Sequence, residues 1–110
     1  MSVRHKDLAS GRWHQFPFLV QMAHIAGEVE RALKWKELGN WAHRMSAYER
    51  ALELLEMTTG DVQNRSRVKE LTRVREALVD YFGGTNAFGS SDTAWRKYFG
   101  AFTYAARRHC

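Results

Sequence analysis

Apolar residues recur at helical spacing along most of the chain. Phe18, Met22, Ile25, Val29 and Leu33, with Ala26 and Ala32 beside them, form one stripe at the period of an α-helix. Continuing that stripe would place Lys36 and then Asn40 or His43 in a core, so it ends there. A second stripe, Trp41, Met45, Tyr48, Leu52 and Leu55, runs in a different phase. The break falls on Gly39-Asn40, a pair that tolerates left-handed backbone and can end one helix and cap the next. The pattern therefore predicts a tight antiparallel helix pair rather than one long rod.

A helix end is expected near Thr58-Thr59-Gly60, followed by a polar connection from Asp61 to Ser66. Val68, Leu71, Val74, Leu78 and Phe82 then share one face of a third helix, which Gly83-Gly84 terminates. Gly83 to Asp92 is the longest irregular stretch and carries a lone aromatic, Phe88. A cap at Ser90 or Ser91 opens a fourth helix that turns Trp95, Tyr98, Phe99, Phe102, Ala105 and Ala106 inward. No stretch alternates apolar and polar residues as a strand does. The expected fold is all-α, an up-down four-helix bundle with helices at about 17–38, 41–58, 66–82 and 92–108. Residues 16–110 form the bundle and residues 1–15 a basic N-terminal arm. Trp35, Leu38, Gly39, Tyr48 and Ala51 match a tetratricopeptide spacing once, and one copy cannot build a stacked-repeat core.

With 110 residues, 45% of them hydrophobic, the chain has material for one core. Phe16 to Val20, interrupted by Pro17, is its longest apolar run, far below the ~20 residues needed to span a bilayer. No membrane association is expected. The start, MSVRHKDLAS, lacks the apolar stretch of a secretory leader, so a cytoplasmic setting is expected. Cys110 is the single cysteine, which excludes an internal disulfide and points to a free thiol.

The net charge of +5 is unevenly placed. Residues 18–60 are nearly balanced, whereas residues 61–110 hold a clear basic excess, and no carboxylate follows Asp92. A clustered excess of this kind favours polyanions through counterion release. Arg96, Lys97, Tyr104, Arg107 and Arg108 fall on the outward face of the last helix, and Arg65, Arg67, Lys69 and Arg73 lie near the start of the third. Arg4, Lys6, Arg12 and Trp13 add to them from the chain start. Cations interleaved with aromatics suit phosphate contacts plus stacking on exposed bases.

Catalytic signatures are missing from the sequence. His5, His14, His24, His43 and His109 include no pair at helical ligand spacing, and HExxH and GxSxG do not occur. No arginine has a histidine four to six residues after it, as a small helical ribonuclease would require. Glu28, Glu30, Glu49, Glu53 and Glu56 lack a histidine three residues on and read as a solvated face. The expectation is a non-enzymatic protein with no cofactor and no metal. Arg44 and Arg75 break the stripes of their helices. A guanidinium there must pair with a glutamate such as Glu28 on a neighbouring helix, or cross to another copy of the chain.

The segments ERALKWKELGN, ERALELLEMT, ELTRVREALVDYFGG and WRKYFGAFTYAARR resemble a small bacterial helical family over Trp13 to Arg108. By size, basic charge and helix order the chain is also similar to two four-helix-bundle groups. One is the proteins encoded by ribosomal-RNA intervening sequences; the other is the accessory variability proteins of diversity-generating retroelements. The resemblance implies a cyclic homo-oligomer that engages RNA or DNA, and a reverse transcriptase, through basic surfaces. It implies no catalytic residue. The aromatic-rich last helix and the glycine loop before it depart from that pattern. A protein–protein scaffold or antitoxin-like module, using Trp13, Trp35, Phe88 and Tyr104 as contacts, is the alternative.

Overall fold

A computed structural model describes residues 11–108. Four α-helices, α1 (Phe18–Glu37), α2 (Trp41–Thr59), α3 (Val68–Gly83) and α4 (Asp92–Arg108), follow a short 3-10 turn at Arg12–Gln15, and a 3-10 stretch at Val62–Arg67 leads into α3. No strand occurs among the described residues, and the architecture is the expected all-α, up-down four-helix bundle. None of the described helices is long and apolar enough to cross a membrane. Much of the predicted arm 1–15 lies outside the described residues, as do His109 and Cys110.

The α1–α2 break has the local chemistry its sequence predicts. Gly39 adopts φ 74°, which a side chain would resist, and Asn40 Oδ1 accepts from His43 N at 3.0 Å to cap α2. Ser91 Oγ does the same for α4, accepting from Ala94 N at 3.1 Å. α1 is the central helix, packed along α2 on one side and α4 on the other, while α2 also packs on α3. α3 and α4 meet through long side chains: the Tyr81 and Trp95 rings lie 6.4 Å apart, and Tyr98 Oη donates to Glu70 Oε2 at 2.8 Å.

The core contains the predicted stripes of α1 and α3, except that Val68 is exposed and Phe18 only half-buried. α2 corrects its prediction. Its buried face is Ala47, Tyr48, Ala51, Leu54, Leu55 and Thr58, whereas Met45 and Leu52 are half-buried and Trp41 is exposed. The small residues on that face let α1 approach closely, and a helix gripped on two sides buries more than one stripe.

Two glutamates of the supposed solvated face, Glu28 and Glu53, are buried for the same reason. Glu28 is bridged by Arg31 on its own helix and Arg50 on α2, which balance its charge where water cannot. The partner of Glu28 is therefore Arg50, not Arg44. Arg75 is not a core residue either; it is exposed and pairs with Glu56 at 3.3 Å. Arg44 is half-buried beside Trp35 and Trp41 in a small cavity of about 110 Å³, and its Nε has no hydrogen-bond partner.

Candidate nucleic-acid interface

The α2–α3 connection, polar as expected, contains the most heavily hydrogen-bonded polar cluster of the described residues. Trp13, fully buried, donates its indole N–H to Thr58 Oγ1 at 3.0 Å, and Gln21 Nε2 donates to the Trp13 carbonyl at 3.0 Å and to Asp61 Oδ2 at 2.8 Å. Asn64 Nδ2 closes the ring, donating to Gln21 Oε1 at 2.8 Å and to the Thr58 carbonyl at 2.9 Å. Buried amides and hydroxyls tolerate an apolar interior best when paired, and here they supply most of one another's partners, with Asn64 Oδ1 left without one among the described residues. Trp13 thus belongs to the core and not to a nucleic-acid-binding arm or an interface.

Asp61 sits at the edge of this cluster and also faces His14, whose Nδ1 lies 3.1 Å from its Oδ2. Burial alone raises the Asp61 carboxyl, but hydrogen bonds from Gln63, Gln21 and His14 outweigh it and hold the pKa down at about 2. A carboxylate-oriented imidazole can move a proton, yet the other donors on Asp61 are the Gln21 and Gln63 amides. The pair therefore braces the chain start against the connection. Its members are 47 positions apart in sequence, so no local motif announces it.

Around this lock the cations gather. The Arg67 guanidinium lies 4.2 Å above the Phe18 ring, and Phe18 meets Phe102 edge to face at 5.9 Å. These contacts bring the start of α1, the start of α3 and the last turns of α4 to one pole of the bundle. Arg12, Arg65, Arg67, Lys69, Arg107 and Arg108 are all exposed there, with Arg73 one turn further along α3, whereas Lys97 lies near the start of α4, toward the opposite pole. Arg65, Arg67, Lys69, Arg73, Lys97, Arg107 and Arg108 form no ion pair among the described residues. Tyr104 is exposed, with Arg108 5.8 Å from its ring centroid.

Arg96 does not belong with them. Its Nε lies 3.0 Å from Glu30 Oε2 and its Nη2 2.7 Å from Glu37 Oε1, so its charge is balanced by α1. Across α3 and α4, Glu70 is the acid nearest the basic row, and its hydrogen bond from Tyr98 lifts that phenol, already raised by burial, above its usual pKa.

Between α1 and α4 runs a groove of about 390 Å³, floored by Val29, Leu33, Trp95 and Phe99 and rimmed by Glu30, Arg96, Tyr104 and Arg107. Three residues expected on an outward nucleic-acid face, Arg96, Tyr104 and Arg107, therefore line one depression. A second groove of about 290 Å³ lies between α3 and α4, with Arg73 beside Trp95 and Tyr98. At the opposite pole Lys36, Asp92 and Tyr81 form a polar cluster, Lys36 Nζ lying 3.0 Å from Asp92 Oδ1. Among the described residues no three His, Cys, Asp or Glu side chains converge as metal ligands.

No family model matches this chain, and no curated protein or solved structure is significantly similar to it.

Proposed function

We propose that the protein is a non-enzymatic accessory protein that binds the backbone of RNA or DNA, acts as a homo-oligomer and works beside a nucleic-acid enzyme such as a reverse transcriptase. The observation that carries this reading is the pole where Arg65, Arg67, Lys69, Arg107 and Arg108 stand exposed with no ion-pair partner among the described residues. Such a surface gains affinity by releasing the counterions condensed on a polyanion.

The test is affinity for single- and double-stranded RNA and DNA across a salt series. Affinity should fall linearly on a log–log plot as salt rises, and the triple variant Arg65→Ala, Arg67→Ala, Lys69→Ala should flatten the slope by roughly one per cation removed. No binding at ~50 mM salt, or binding indifferent to salt, rejects the reading.

A second reading has its own observation. Leu38, Trp41 and Phe88 are 74%, 64% and 66% exposed, all at the opposite pole, and exposed large hydrophobics of this kind make protein contacts. On that reading the chain is a scaffold or antitoxin-like module. Light scattering separates part of this: a strict monomer removes the homo-oligomer from both readings.

A further inference from the structure

We infer that the groove between α1 and α4 holds one unpaired nucleotide of a single-stranded segment, its base against the apolar floor and its phosphate at Arg107. This rests on the nucleic-acid reading and narrows it to unstacked bases.

Size and lining come first. The depression of about 390 Å³ lies within the range of sites that take small organic ligands, ~300–1,000 Å³, and its floor is aliphatic and aromatic with few polar groups. Gly100 lines it, and a Cβ built there meets no atom within 4 Å, so the α4 backbone borders the open space.

The charge on the rim then selects the ligand. Arg96 is balanced by Glu30 and Glu37, leaving Arg107 as the rim cation with no carboxylate partner among the described residues. One uncompensated cation beside an apolar slot fits one phosphate attached to one flat ring. Tyr104, 63% exposed on the same rim, offers a face on which a base can stack. Arg107 also belongs to the basic pole, so a strand whose phosphates follow that pole is led to the groove. A duplex keeps its bases paired and stacked and cannot enter.

Gly100→Leu tests the idea, because it fills the groove while replacing glycine in a helix interior with a better helix former. The full chain and this variant are compared for binding to a labelled single-stranded RNA, to the same strand with abasic sites, and to its duplex; circular dichroism melting checks the fold. Gly100→Leu should weaken single-strand binding roughly tenfold while duplex binding stays within about twofold, and the abasic strand should bind the native chain as weakly as the intact strand binds the variant. Tyr104→Ala should weaken the single strand in the same direction. Unchanged single-strand affinity in a folded Gly100→Leu variant overturns the groove proposal, as does an equal loss for strand and duplex, while both outcomes leave the basic pole standing. Failure of the native chain to bind any of the three probes overturns the nucleic-acid reading itself.

Discussion

At the pole where α1 and α3 begin, the chain buries Trp13, Gln21, Thr58, Asp61 and Asn64 in one hydrogen-bonded lock and keeps its cations outside. At the other pole the polar groups of the α3–α4 loop are satisfied close to home. Asp80 accepts from Ala87 N and Phe88 N, Asn86 exchanges bonds with Ser90 N and O, and Leu38, Trp41 and Phe88 are left exposed. The first arrangement joins residues distant in sequence and must be rigid to hold like charges together. The second ties its loop to near neighbours, with Lys36 reaching across 56 positions to Asp92, and leaves Leu38, Trp41 and Phe88 outside the core.

The largest contrast should come from tryptophan truncation at the two poles. Trp13→Ala removes a fully buried ring and the indole N–H that donates to Thr58 Oγ1, so a loss of about 3–5 kcal/mol in denaturant-measured stability is expected. An intermediate effect should appear in acid. Because folding depresses the Asp61 pKa from 3.8 to about 2, its contribution is complete above the unfolded value and is lost as pH falls through that interval. Thermal melting from pH 5 to pH 2 should show this decline, and Asp61→Asn should remove its share of the slope. The smallest effect is Trp41→Ala, expected within about 0.5 kcal/mol of the native chain. A Trp41 loss as large as that of Trp13 would abolish the distinction between the poles.

What the sequence disclosed follows the same division. The Gly39-Asn40 turn, the Ser91 cap and the stripes of α1 and α3 were legible because each depends on residues within a few positions of one another. The burial of Trp13 was not, since its partners Thr58 and Gln21 come from other elements. On α2 size is a poor guide to burial: Trp41 and Met45 outrank Ala47 and Ala51 in hydrophobicity, yet it is the alanines that are buried. Of the candidate site, the exposed cations were legible as an uneven charge. The cancellation of Arg96 by Glu30 and Glu37 lies across 66 and 59 positions of sequence and needed the fold.

The hydrogen bond from Trp13 to Thr58 closes a loop across a sequence separation of 45 residues. Chain closure over such a span carries an entropic cost that must be met before the contacts it permits can form. The lock is therefore expected to close after the paired α1–α2 hairpin, whose contacts are nearer in sequence. Until it closes, Arg12 and the cations leading into α3 do not share a surface. A polyanion bound there would recognise only the completed chain, and by mass action would hold it complete.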